Sequence, residues 1–289
     1  PAAAAVGEVG DAQRGLQVVA DYTAGDDRIH MCYSFDFLSP DRISARKVRR
    51  VLERFGAVAS DGWSCWAFSN HDVVRHASRW ADGAPDRNAY LKVVSALLMS
   101  LRGSICLYQG EELGLPEADI LYEELTDPRG IRFWPEDKGR DGCRTPMPWQ
   151  HDLPHAGFTT GKPWLPVKHA QSALSVDVQE AHPDSTLNAY RKLLAWRKTY
   201  PALINGDIAF FKCDEPVLAY RRSGEDKDLI CIFNLSADPR TVKLSKVELA
   251  LEPVSHNATL DGASLQLSPN GFAILPAPVG EGRVSYKDS

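Results

Sequence analysis

Four short segments carry residues whose types and spacing could do chemistry. In V-G-E-V-G, residues 6 to 10, a single glutamate sits in an apolar, glycine-flanked run. Partial removal from water there would raise the carboxyl pKa of Glu8 and suit it to general-acid work. Taken alone, such a residue is more often an ordinary surface glutamate. In F-S-N-H-D, residues 68 to 72, an apolar, aromatic run switches abruptly to Asn70, His71 and Asp72. That trio can exchange hydrogen bonds with a sugar while presenting a carboxylate to positive charge at its anomeric carbon. It could equally open a helix, with Asn70 or Asp72 as the cap. The third segment is G-R-D-G-C-R-T-P-M-P-W, residues 139 to 149, in which Arg140 and Arg144 stand four apart. Guanidinium forks fix hydroxyls and carboxylates rigidly, although a surface salt-bridge loop is the commoner fate of arginines. Y-Q-G-E-E, residues 108 to 112, reads as a tight polar turn or as the start of a helix.

These segments need elements to position them. Helical patterns alternate with short apolar runs up to about residue 200. Helices are predicted over 11–22, over 44–55 with Ser44 as N-cap, over 86–102 and over 185–200. The third is the clearest, with Tyr90, Val93, Val94, Leu97, Leu98 and Leu101 on one face and Gly103 at its end. Strands are predicted at the start of the chain, over 29–37, over 63–70 and over 104–110. Alternation of this kind argues for parallel βα units, and four strands are half of an eight-stranded barrel. Each chemical segment lies at or just after the C-terminal end of a predicted strand, where a parallel barrel keeps its catalytic groups. The stretch from about 115 to 183 has no clear periodicity, and irregular segments of that length are usually functional. After Pro201 short β-rich runs separated by turn clusters predict a small antiparallel β-sandwich. The expected division is 1–204 for the barrel part and 205–289 for the β domain.

Composition narrows the classes. With 289 residues, 44% hydrophobic and 25% charged, the chain is ordinary for a globular enzyme. A net charge of −5 gives no reason to expect a nucleic-acid or anionic-membrane partner. No apolar run approaches the ~20 residues of a membrane span. The six cysteines form no C-x-x-C pair and no disulfide framework. Cys32, Cys65 and Cys106 lie in apolar stretches and read as buried free thiols. That points to a cytoplasmic setting, with the periplasm left open. The opening residues have no signal-peptide pattern and enter a strand directly, so further sequence is expected upstream.

Together, the order and spacing of these segments resemble the α-amylase superfamily, glycoside hydrolase family thirteen. V-G-E-V-G resembles its fifth-strand motif, F-S-N-H-D its seventh and G-S-I-C-L-Y-Q-G-E-E its eighth. G-R-D-G-C-R-T-P-M-P-W is similar to the R-D-x-x-R-T-P-M-x-W stretch of α-glucosidases and oligo-1,6-glucosidases. The resemblance implies the second half of a (β/α)8 TIM barrel followed by the β domain. It implies that Glu8 is the general acid/base and Asp72 the carboxylate that stabilises the transition state. His71 and Arg140 would bind the sugar, Arg144 would border the same pocket or support its loop, and Phe35 would line the leaving-group side. The implied activity is retaining, exo-acting hydrolysis of short α-glucosides such as maltose, isomaltose or sucrose-like sugars. Transglucosidases, trehalose synthases and sucrose isomerases share these motifs and stay open, whereas the retention of Glu8, the N-H-D run and both arginines argues against a non-catalytic binding scaffold.

One departure matters. The family's nucleophile is an aspartate in G-x-R-x-D, and neither that motif nor D-x-x-x-N-H occurs here. Retention of configuration needs two carboxylates ~5–5.5 Å apart, so the nucleophile is expected upstream and the chain alone is expected to be inactive. No organic cofactor is implied, no metal ligand is assigned, and the family's calcium loop would also lie upstream. The expected partner is therefore the missing N-terminal half of the barrel.

Overall fold

The computed structural model describes residues 3–11, 13–25, 27–59, 61–249, 251 and 254–288. The extreme ends of the two expected domains, and Ala12 of the first expected helix, lie outside the described residues. Four short strands come first: β1 (Val6–Val9), β2 (Met31–Ser34), β3 (Cys65–Ala67) and β4 (Ser104–Cys106). β1 pairs with β2 and β3 with β4, both in parallel, and a parallel bridge between Cys32 and Ser64 joins the two pairs. The strands therefore stand side by side in chain order. Each is shorter than its apolar run, because the chain turns into site loops as soon as the pairing ends.

Alternation sets the two faces of this sheet. Cys32, Trp66 and Ile105 point to one side, where they join a core with α1 (Gly15–Thr23), α2 (Ala45–Val58) and α4 (Arg87–Ser100). Phe37, Phe55 and Trp66 pack edge to face within it, with centroids 5.4 and 5.8 Å apart. Tyr33, Cys65 and Ala67 point the other way and form a small cluster with Leu38. Glu8 is in register with Tyr33 and so shares that second face.

Helix starts follow their caps. Ser44 Oγ accepts from Lys47 N at 3.1 Å to open α2, and Asp86 Oδ1 accepts from Ala89 N at 3.0 Å to open α4. Ser185 caps α8 (Thr186–Arg197) in the same way. α1 begins at Gly15, later than its periodicity suggests, because Asp11 first holds a turn by accepting from Gln13 N and Arg14 N. A single buried face was expected for α4, yet it is buried on every side from Ala89 to Ser100. It lies between the parallel strands, α8 and the C-terminal sheet. Of its polar members, Lys92 pairs with Asp184 and Ser100 with Tyr220.

The segment from 115 to 183 holds only short helices: α5 (Pro128–Phe133), α6 (His169–Ser172), α7 (Val176–Glu180) and 3-10 turns at 122–124, 141–143 and 154–157. α3 (His76–Arg79) follows β3, and α9 (Pro201–Ile204) follows α8. Beyond it run β5 (Ile208–Phe210), β6 (Val217–Arg222), β7 (Asp228–Asn234), β8 (Arg240–Ser245), β9 (His256–Asp261), β10 (Ser264–Ala277) and β11 (Arg283–Ser285). Where a sandwich was expected, the structure has one antiparallel, hydrogen-bonded sheet in the order β11-β8-β10-β7-β6-β5, with β9 on β10. β10 lets one sheet serve two layers. Its first residues pair with β8 and β9, its last with β7, and the register shifts between Leu267 and Phe272. Leu218, Tyr220, Cys231 and Phe233 of β6 and β7 face the helices. Val217, Ala219, Ile230 and Ile232 face β8, β11 and the start of β10.

The two parts are tied at the C-terminal end of α4. Arg222, fully buried, donates to the carbonyls of Ser100 (2.7 Å), Leu101 (2.8 Å) and Gly206 (2.9 Å). The last carbonyls of a helix have no partner within it, and a cation there also suits the helix dipole. Replacing Arg222 with Met leaves buried carbonyls bare. The expected cost is about 2–4 kcal/mol in urea unfolding, against within about 0.5 kcal/mol for the exposed Lys227→Met. Equal effects of the two substitutions would contradict this reading.

Candidate functional site

The candidate site forms where β1, the loop after β3 and the irregular segment meet. Asn70, almost fully buried, is the hinge of the first two. Its Nδ2 donates to Glu8 Oε1 at 2.8 Å, and its Oδ1 accepts from Asp72 N at 3.0 Å. One amide thus fixes the glutamate and shapes the turn that presents the aspartate. The Tyr33 hydroxyl, pushed up by burial and then by its hydrogen bond to Glu8, shares this arrangement. Neither Asn70 nor Asp72 caps a helix: the chain makes a turn at 71–72 and α3 begins only at His76. Glu8 itself is exposed, so the partly desolvated setting expected of it is not supplied by these residues.

A carboxylate oxygen from each of Glu8 and Asp72 and a ring nitrogen of His71 lie within 4.8 Å of one another. The third segment closes on this trio. Arg140 Nη1 reaches Asp72 Oδ1 at 3.1 Å and Arg144 Nη2 reaches the same oxygen at 2.9 Å. Arg144 Nε also donates to the His71 carbonyl at 2.7 Å. The two arginines, four apart in sequence, therefore converge on one carboxylate rather than forming a separate surface loop. Three ligand-type groups so close could hold a cation. Two guanidinium groups already on Asp72 make that a poor cation site. Phe35 opens the 3-10 turn after β2 and packs against the Tyr33, Leu38, Cys65 and Ala67 cluster.

Several residues that hold the site were not singled out in the sequence. Asp127 is fully buried and takes Arg140 in a fork, Nε to Oδ2 at 2.9 Å and Nη2 to Oδ1 at 3.0 Å. That pairing holds the Asp127 carboxyl far below the usual carboxylate range and raises Arg140. Asp141 accepts from Thr126 N and Asp127 N at 2.6 and 2.8 Å and so shapes the loop carrying the fork. Gly139, at φ +72°, lies where two segments cross, and a Cβ there would stand 2.7 Å from Gly130 N. Trp164 Nε1 donates to the Arg144 carbonyl at 3.0 Å. The only sequence signal for Asp127 was an aspartate before a proline, the usual start of a short helix.

Arg75 ties three loops together. Nearly inaccessible, it donates to the carbonyls of Gln109 (2.6 Å) and Cys143 (2.8 Å), and its backbone N–H donates to Glu117 Oε2 at 2.9 Å. Y-Q-G-E-E is therefore a turn packed on Arg75, with Gly110 at φ +86° because a Cβ would meet Arg75 Nη1 at 2.7 Å. Glu111 beneath it accepts from Tyr108 N and faces His76 Nδ1 at 2.9 Å. All six cysteines are free, Cys32 and Cys65 buried and Cys106 half-buried.

Burial pushes Glu117 up to about 7 against the opposing effect of Arg75 and Arg79. A carboxyl with a raised folded-state pKa favours the fold when neutral. Its contribution is complete below about pH 4.5 and is lost as pH rises through about 7. Glu117→Gln keeps an acceptor for the Arg75 N–H and removes that loss. The variant should gain on the parent between pH 5 and pH 8 in urea unfolding, by about 3 kcal/mol at most. A difference that does not change with pH would contradict it.

The alpha amylase catalytic-domain family matches residues 2–206. A probable alpha-glucosidase of Rhizobium meliloti (strain 1021) is 53% identical over 244 residues, 84% of this chain and 44% of its own length. An oligo-1,6-glucosidase of Heyndrickxia coagulans is 30% identical over 256 residues, 76% of this chain and 46% of its own. Among solved structures, the alpha-glucosyl transfer enzyme XgtA is 48% identical with a TM-score of 0.88, covering 96% of this chain and 51% of that one. A variant of the trehalulose synthase MutB is 26% identical with a TM-score of 0.79, covering 95% and 55%. The chain spans about half the length of these relatives. With a family match over more than two thirds of its residues, it belongs to the alpha-amylase family, within that family's catalytic domain.

Proposed function

We propose that the chain is the second half of a (β/α)8 barrel, residues 1–204, followed by a β domain at 205–289, from a retaining, exo-acting α-glucosidase. The observation that carries the reading is the meeting of Glu8, His71 and Asp72 within 4.8 Å, with Arg140 and Arg144 both on Asp72. A glycosidic bond is broken by protonating its oxygen while a carboxylate supports the oxocarbenium-like carbon. Glu8, exposed at the strand end and oriented by Asn70, is placed to give that proton. Asp72, held by two guanidinium groups, is placed to face the developing charge. His71, Arg140 and Arg144 bind the terminal sugar, and Phe35 lies on the leaving-group side. An aspartate from upstream sequence is the nucleophile, and Glu8 then activates the water that releases glucose. Short α-glucosides are the substrates, in keeping with what the similar glucosidases are named for.

Transfer of glucose to an acceptor other than water is the second reading, favoured by the 48% identity to an alpha-glucosyl transfer enzyme. Both readings use the same residues up to the glucosyl-enzyme.

The test is glucose release from maltose and isomaltose by the full-length protein and its Glu8→Gln variant. The expected result is activity in the parent and a loss of about 10²–10⁴-fold in the variant. A parent inert on both sugars, or a variant as fast as the parent, removes the acid/base assignment. Two glucose released per disaccharide consumed select hydrolysis, whereas at most one, with a new glucoside formed, selects the transfer reading.

A further inference from the structure

We infer that Asp127 is a positioning residue that sets the charge and geometry of Asp72 by clamping Arg140. The inference rests on the glucosidase reading above. Arg140 has two donors, Nε and Nη2, committed to the two oxygens of Asp127, at 2.9 and 3.0 Å. Asp127 also accepts from the Arg140 and Arg129 backbone N–H groups, at 2.8 and 3.2 Å, so the fork cannot turn about its own loop. A cap for α5 needs only one oxygen and no burial. Asp127 uses both oxygens and is fully buried. What remains for Asp72 is Arg140 Nη1, 3.1 Å from Oδ1, beside Arg144 Nη2 at 2.9 Å on the same oxygen.

Two consequences follow. The row Asp127, Arg140, Asp72, Arg144 is neutral as a whole, with two carboxylates and two guanidinium groups. Without the Asp127 charge it carries one excess positive charge beside the carbon that becomes positive in the transition state. A fixed charge aimed at the transition state acts on kcat rather than on ground-state binding. Without the clamp, moreover, Arg140 can turn and take both Asp72 oxygens, drawing that carboxylate away from Glu8 and His71.

The test uses the full-length protein with an aryl α-glucoside. Asp127→Asn should lower kcat at least tenfold while KM moves less than threefold. In an Arg140→Ala background the same substitution should change kcat less than twofold, because the clamp then has nothing to hold. Asp127→Glu, which keeps the charge but lengthens the arm, should also lose at least tenfold and serves where Asp127→Asn does not fold. A kcat within twofold of the parent in the single variants, or the same loss in both backgrounds, overturns the inference. The Arg140 Nε–H signal, assigned by its absence in Arg140→Ala, reads the clamp without turnover. Its solvent exchange should quicken at least tenfold in Asp127→Asn, and unchanged exchange overturns the clamp. A parent that is inert while this exchange does quicken removes the glucosidase reading, and with it the catalytic consequence, but leaves the clamp. An active parent with Glu8→Gln inactive and Asp127→Asn unchanged removes only the inference.

Discussion

The arrangement around the site depends on one buried cation, Arg75. Its guanidinium is withdrawn from water and donates to carbonyls of two different loops, while its backbone donates to Glu117. Burial lowers its pKa, with Tyr108, Cys143, Glu117 and Glu111 acting in the opposite sense. A charged group in such a place needs hydrogen-bond acceptors to be tolerated, so the loops that supply them to its two Nη groups are held to it, and only Nε finds none. Those loops are the turn after β4 and the segment bearing Arg140 and Arg144. Arg75 itself follows Asp72 in the loop after β3. Three pieces of chain, far apart in sequence, thus meet around one side chain, and the convergence of arginines on Asp72 is built on that meeting.

The second constraint is the period of two along the parallel strands. Each strand gives one face to the helices and one to the side where Glu8 stands. The helix side is dense with aromatic rings and closed by α4, whereas the Glu8 side carries only a small apolar cluster. The role proposed for Glu8 needs that thinner side, where a ligand can reach the carboxylate. The C-terminal sheet supports the same layout from behind. β6 and β7 bury one face against α4 and α8, and Arg222 satisfies the carbonyls at the end of α4.

Much of this was legible in the sequence, for identifiable reasons. The four parallel strands, the cap at Ser44 and the β-rich C-terminal part follow from local patterns, and local rules decide them. Glu8, His71, Asp72, Arg140 and Arg144 stood out by residue type and setting, and the structure brings them together, with Glu8 more exposed than its apolar run suggested. The strand lengths were overstated, because an apolar run continues past the last paired residue into a buried loop, as Phe68 and Ser69 do after β3. The all-round burial of α4 was illegible because its polar residues find partners in distant segments, Lys92 with Asp184 and Ser100 with Tyr220. Asp127 and Arg75 were missed for the same reason: their importance lies in what they hold, and long-range hydrogen bonds leave no periodic trace.

At the centre of the account stands a claim about geometry, that a terminal glucose sits between Glu8 and Asp72. A crystal structure of the full-length Glu8→Gln protein soaked with maltose measures it directly. The account predicts the glycosidic oxygen about 3 Å from the side chain at position 8, the anomeric carbon facing Asp72, and an upstream aspartate on the opposite side of that carbon. A sugar bound elsewhere, or one in this place with no aspartate across from it, would contradict it.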